Sequence, residues 1–177
     1  MKELTRHREV TWEDPLVSAA LALDMSGLDY LRAIADGRIP PSPIAALMGM
    51  GIVDVQPGRV MFSLEVGEHL YNPIGSVHGG VFCALLDSAM GCAAHSVLHR
   101  GQAYATLELK ANLVKALTVN TPSVVATGQV ISSGRRVITA SGQITGPDGT
   151  LFAHGTSTCL VSEPHQQSRS GGNGHGR

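Results

Sequence analysis

The sequence predicts an α+β domain in which a curved antiparallel sheet wraps one long central helix, with a helical extension at the N-terminus. Three observations carry that expectation. Residues 80–99 are almost purely apolar and small, with Asp87 near the middle. Strand-like segments flank this run on both sides, two before it and four after it. The chain has 177 residues, of which 43% are hydrophobic and 15% charged, which is enough apolar material for one domain with a full core.

Residues 1–24 are charged and mixed, apart from Trp12 and an apolar run at 16–23, and are read as an appended segment with some helix. The domain proper is expected at 25–162. Ser26-Gly27-Leu28-Asp29 has a helix-capping pattern, and Leu28, Leu31, Ile34 and Ala35 recur on one face up to a stop at Gly37. Pro40, Pro41 and Pro43 then forbid regular structure until a short apolar turn at 44–48. From Gly51 the apolar period becomes two. Residues 52–56, a Pro57-Gly58 turn and residues 59–66 form a hairpin. After the helix, strands are expected at 102–117, 123–132, 135–145 and, past the Pro147-Asp148-Gly149 turn, at 150–161. Short links between them imply an antiparallel meander, and such a sheet curls round one buried helix. Residues 163–177, EPHQQSRSGGNGHGR, offer no apolar side chain that could dock and are expected to be disordered.

The central run is long enough to span a bilayer, but Asp87, its glycines and its alanines argue for a core helix buried on all sides. A carboxylate there is costly unless it is partnered or used. Gly79 and Gly80 stand where the helix begins, so their backbone N–H groups point out at the positive end of its dipole with no side chain in the way. Such amides can polarise a carbonyl oxygen. Asp87 lies eight residues past Gly79, which at the helical rise separates the two by roughly 12 Å along the axis. One helix therefore cannot apply both groups to one carbonyl. Two copies packed antiparallel can, and the spacing asks for a homodimer with two composite sites.

Composition excludes several function classes. Thirteen Lys and Arg against 14 Asp and Glu provide no global field to recruit nucleic acid or an anionic membrane, and 4% aromatics argue against a base-stacking platform. Three cysteines, Cys83, Cys92 and Cys159, make an odd count, and the first residues lack the apolar core of a signal peptide, so a reducing cytoplasm is expected. Cys83 sits one turn before Asp87, but no basic residue close in sequence would favour a thiolate, and it is a poor nucleophile candidate. His95 and His99 have the i, i+4 spacing of metal ligands; with no third ligand in register they are read as cations complementing the helix C-terminus, and no metal is expected.

Asn72, His78-Gly79-Gly80 and Asp87, at these spacings, resemble the active-site segment of hotdog-fold acyl-CoA thioesterases of the phenylacetic-acid-degradation (PaaI-like) type. The upstream SGLDYLRAIADGRIPPSPIAALMG and downstream GTLFAHGTSTCLV are similar too, so the resemblance covers residues 25–162. It implies hydrolysis of an acyl-CoA thioester, with CoA as part of the substrate and no cofactor. It also implies that Asn72 helps hold the catalytic water or the thioester, that His78 shapes the site, and that the dimers often pair into tetramers. Thr106 lies where the family carries a Ser or Thr that holds water. Strict alternation, however, puts Ala105, Leu107 and Leu109 on the core face and Thr106 off it, so Thr106 joins the site only if a partner covers that strand end. Ser133, Gly134, Arg135 and Arg136, on a turn, are the candidate contacts for the CoA phosphates, and Gly80 is a further substrate contact.

In the chemistry this predicts, the Gly79 amide stabilises the developing oxyanion while Asp87 of the other protomer acts as general base on water or as the nucleophile. The alternatives are a hotdog hydratase or dehydratase, which would need a separate Asp-His dyad, and a non-catalytic acyl-CoA binding protein, which gains nothing from a carboxylate beside a thioester.

Overall fold

A computed structural model describes residues 5–162. The tail at 163–177, expected to be disordered, lies outside the described residues. Helix α1 (Pro15–Asp24) starts with a proline in its first turn and is capped by Asp14, whose side chain accepts from the Leu16 N–H at 2.9 Å. It rides on the surface with no residue buried, and Leu16 is 74% exposed. Helix α2 (Gly27–Ala35) has the predicted cap: Ser26 Oγ accepts from the Asp29 N–H at 3.2 Å and donates to the Asp29 carboxylate at 2.6 Å. The segment read as an apolar turn is a third helix, α3 (Pro43–Met48), because Pro43 occupies its first turn, where no N–H is needed.

Strands β1 (Met50–Gln56) and β2 (Arg59–Glu65) form the predicted hairpin. Helix α4 (Gly79–His95) follows, then β3 (Ala103–Leu113), β4 (Ser123–Ser133), β5 (Val137–Thr145) and β6 (Leu151–Ser162). All six strands join one antiparallel sheet in the order β1-β2-β4-β5-β6-β3. The expected meander is corrected at one point. Strands β4, β5 and β6 do follow one another, but β3 pairs with β6 at the far edge, and residues 114–122 carry the chain back across the sheet to β4. That crossing is pinned beneath the start of α4, where Leu117 is buried and its carbonyl accepts from the Val77 N–H at 2.9 Å.

Helix α4 lies in the concave side of the curled sheet, with Phe82, Leu85, Leu86, Ala89 and Met90 in the main core. Two glycines of the sheet, Gly128 and Gly142, let it come close. Gly128, Gly142 and Gly155 are register partners on β4, β5 and β6. A Cβ at Gly128 would collide with the Ala89 carbonyl, and one at Gly142 would press on Met90 and Leu86. The far end of the helix is closed by buried Ser96, whose Oγ donates to the Ala93 carbonyl at 2.7 Å and accepts from the Gly58 N–H at 2.8 Å.

The expectation that α4 is buried on all sides needs correcting. Asp87, Ser88, Ala84, Cys83, Val81, Cys92 and His95 are only half-buried, and at helical spacing they form one stripe that the chain's own sheet leaves uncovered. Among the described residues no helix is long and apolar enough to cross a membrane.

Candidate active site

Asp87 projects from the middle of that stripe. Its Oδ1 accepts a hydrogen bond from Thr106 Oγ1 at 2.9 Å, so the two are on the same side of β3, contrary to the alternation argument. The reason is a β-bulge. The β3–β6 register shifts between Thr106 and Glu108, leaving Leu107 as the extra residue. Before the bulge Tyr104 and Thr106 face α4; after it Leu109 and Ala111 do, and both pack against the core. Thr106 therefore reaches Asp87 within one chain, and Leu107 is turned outward and 60% exposed.

The other candidate groups gather at the N-terminal end of α4. His78 is its N-cap: Nδ1 accepts from the Gly80 N–H at 2.9 Å, and the His78 backbone N–H donates to the Leu70 carbonyl at 2.8 Å. One of the two glycine amides is thus taken. The Gly79 N–H has no acceptor among the described residues. Gly79 lines a cleft of about 260 Å³ together with Asn72, Ser76, Phe82 and Leu113. Asn72 mainly organises its own loop, with Oδ1 accepting from the Ile74 N–H at 3.0 Å and the Ser76 N–H at 3.4 Å, and Nδ2 donating to Ser76 Oγ at 3.2 Å. Asp87 does not line this cleft.

One chain therefore holds its candidate groups at separate places along α4, Asp87 with Thr106 near the middle and Gly79, Asn72 and His78 at the N-terminal end. The turn of Ser133, Gly134, Arg135 and Arg136 joins neither. All four are exposed, and β5 begins only at Val137. Their end of the sheet adjoins the C-terminal end of α4, where Val130 and Ile138 cluster with Ala94 and Leu98.

The histidines need a second correction. Helix α4 ends at His95, so His99 lies past it, exposed, and the two do not share a helix face. His95 is not the expected cation either. Its ring meets Tyr30 edge-on at 5.7 Å and Tyr104 at 5.7 Å, and burial pushes its pKa below the ordinary histidine value. Cys92, on the same side of the helix, is pushed up to about 12 by burial and by nearby Asp87, so its thiol stays protonated. Sequence reasoning missed Tyr104. The one signal was Gly91, one turn past Asp87: a Cβ there would collide with the Tyr104 hydroxyl, so the glycine marks where the tyrosine crosses the helix.

Three comparisons bear on this arrangement. Residues 74–153, from the loop before α4 into β6, match the thioesterase superfamily. A 1,4-dihydroxy-2-naphthoyl-CoA hydrolase from Listeria monocytogenes is 31% identical over 88 residues, which are 50% of this chain and 70% of that protein. Among solved structures, a thioesterase family protein from Silicibacter pomeroyi is 27% identical with a TM-score of 0.65, covering 74% of this chain and 94% of that one. A phenylacetic acid degradation-related protein from Ralstonia eutropha is 25% identical with a TM-score of 0.67, covering 74% and 98%. The helix-wrapping sheet, the HGG start of α4 and these likenesses agree: the chain belongs to the thioesterase superfamily and has its hotdog fold.

Proposed function

We propose that the protein hydrolyses acyl-CoA thioesters as a homodimer, each site combining the Gly79 cluster of one protomer with the Asp87–Thr106 pair of the other. The observation that carries this reading is the division of one chain into two half-sites on one helix. The free Gly79 amide and Asp87 are eight residues apart, roughly 12 Å along the axis and too far to serve one carbonyl. An antiparallel second copy of α4 against the half-buried stripe brings each half-site to its complement. The outward apolar residues of the β3 edge and its sequel, Leu107, Leu113 and Val114, suit the same interface. Two such dimers pairing would give a tetramer.

In this mechanism the thioester oxygen sits on the Gly79 N–H, which strengthens its bond as negative charge develops. Thr106 holds one oxygen of the Asp87 carboxylate and leaves the other to take a proton from water, or to attack the carbonyl and form an anhydride that water then opens. Either route releases the CoA thiol and the free acid. Arg135 and Arg136 contact the CoA phosphates. The hydrolase relative from Listeria acts on an aromatic acyl-CoA, which supports acyl-CoA as the substrate class.

A thiol-release assay across short, medium, long and aromatic acyl-CoAs tests the activity; no release from any of them would refute it. The composite site is tested by mixing and refolding Asp87→Ala with Gly79→Pro, which deletes the amide. Random pairing makes about half the dimers mixed, each with one intact site, so roughly a quarter of wild-type activity returns from two inactive parents. An inactive mixture that contains heterodimers by mass would put both groups in one chain.

A further inference from the structure

We propose that Tyr104 is a further residue of the active site, and that its hydroxyl and the Asp87 carboxylate hold between them the water consumed in the hydrolysis. The inference rests on the thioester-hydrolase reading and adds a residue to it. Both routes of that reading need a water, either to attack the thioester or to open the anhydride.

The assignment is carried by where β3 puts the hydroxyl. Tyr104 and Thr106 share a face of β3 ahead of the bulge, and Thr106 engages only one oxygen of Asp87, Oδ1. Two residues back along the strand, the Tyr104 ring crosses α4 at Gly91. A Cβ on Gly91 would collide with the Tyr104 hydroxyl and stand 3.1 Å from Cε2 and Cζ of the ring. Gly91 is four residues past Asp87, one turn of helix and roughly 6 Å along the axis. A water that makes two hydrogen bonds of about 2.8 Å bridges a gap of that size.

The chain makes room for this hydroxyl as well as for the ring. Glycine inside a helix is less stable than alanine, and a phenylalanine at 104 would meet the His95 ring in the same way with less crowding at Gly91. The hydroxyl has no hydrogen-bond partner among the described residues. It is not sealed in, because the two His95 nitrogens are the only side-chain polar atoms among those residues that are both fully buried and unpartnered. A polar group that is unpartnered and reachable takes its partner from water.

Burial first, and then nearby Cys92, Asp87 and Cys159, push the Tyr104 pKa well above the ordinary tyrosine value. Tyr104 therefore stays a neutral hydroxyl and is not the base. Its oxygen accepts a hydrogen bond from the water, Asp87 accepts the other, and a lone pair on the water is left for the carbonyl carbon. On attack the water oxygen bonds to that carbon, one proton passes to Asp87, the C–S bond breaks, and the proton moves on to the CoA thiolate. On the anhydride route the same water bonds to the acyl carbon, the Asp87 oxygen leaves with its proton, and that proton again ends on the CoA thiolate.

The test uses the fastest ester among acetyl-, hexanoyl-, palmitoyl- and benzoyl-CoA, and compares kcat and KM in wild type, Tyr104→Phe, Tyr104→Phe with Gly91→Ser, and Tyr104→Phe with Gly91→Ala. Tyr104→Phe should lose about tenfold in kcat, the factor of one hydrogen bond, with KM unchanged. With the tyrosine hydroxyl gone, Gly91→Ser returns a hydroxyl to the vacated place, whereas Gly91→Ala adds the same Cβ without the oxygen. The double variant with Gly91→Ser should exceed the one with Gly91→Ala by about threefold in kcat. Wild-type kcat in Tyr104→Phe, or a loss confined to KM, overturns the proposal. So do equal kcat values in the two double variants, which would make Tyr104 a packing residue. If circular dichroism shows that the double variants do not fold, crystal structures of wild type and Tyr104→Phe decide. A water within about 3.2 Å of both Tyr104 Oη and Asp87 Oδ2 is expected in wild type and lost in Tyr104→Phe; its absence from wild type overturns the proposal. A wild type inactive on all four esters is a failure of the hydrolase reading instead, and the same water then decides whether Tyr104 and Asp87 form a site.

Discussion

Helix α4 carries an acid and a histidine on the stripe that its own sheet leaves half-covered, and they are treated in opposite ways. Asp87 has a partner inside the chain, the Thr106 hydroxyl. His95 has none among the described residues and is enclosed by two tyrosine rings. The difference follows from charge. A carboxyl group taken out of water needs a hydrogen-bond partner, whereas an imidazole escapes most of the cost of burial by giving up its proton. In the proposed reaction the partnered group is the one that acts on water or on the carbonyl.

Breaking the Asp87 side of this contrast should have the largest effect. Asp87→Ala is expected to lower kcat by about a thousandfold, within the range that a positioned base or nucleophile contributes, while leaving a folded dimer by light scattering. Wild-type turnover in that variant would remove Asp87 from the mechanism. Thr106→Val keeps the shape and deletes the donor, and should cost about tenfold in kcat, as expected for one hydrogen bond to a charged group. Steady-state kinetics that show no change would mean that the bulge serves packing only.

Smaller effects sharpen the picture away from the helix. Arg135→Ala or Arg136→Ala should raise KM by about threefold with kcat unchanged, because an exposed arginine on the carrier is worth only about 1 kcal/mol. A KM unchanged in both would leave that turn as solvated surface. The smallest effect concerns His95 and acid. Its folded-state pKa lies below the ordinary 6.5, so the unfolded chain binds the extra proton first, and stability falls as pH drops below about 6.5 toward the lower folded value. In urea unfolding at pH 7.5 and 5, His95→Phe should lose less stability than wild type over that interval. An equal loss would mean that His95 is charged in the fold.

Several features were legible in the sequence because they are local. The Ser26 cap needs only Asp29 three residues on, and the hairpin needs only the Pro57-Gly58 turn between alternating segments. The HGG entry into α4 was readable as a helix start for the same reason. Thr106 was assigned to the wrong face because alternation assumes an unbroken pleat, and a single bulged residue reverses everything on one side of it. His95 was misread because a histidine at a helix end is a cation only if water reaches it, and α2 covers this one.

By itself, then, the sequence determined the long central helix and the strands, the order of six strands about that helix along the chain, and the spacing that keeps Gly79 and Asp87 apart on it. Only the tertiary structure decided that β3 leaves its neighbour in sequence to pair with β6, that Thr106 turns to Asp87, and that Tyr30 and Tyr104 close over His95. The physical reason is range. Caps, turns and helical spacing are set by residues a few positions apart, whereas strand partners and burial are set by how the whole apolar surface can be covered at once, and here Gly128 and Gly142 beneath α4 decide how closely the sheet can wrap it.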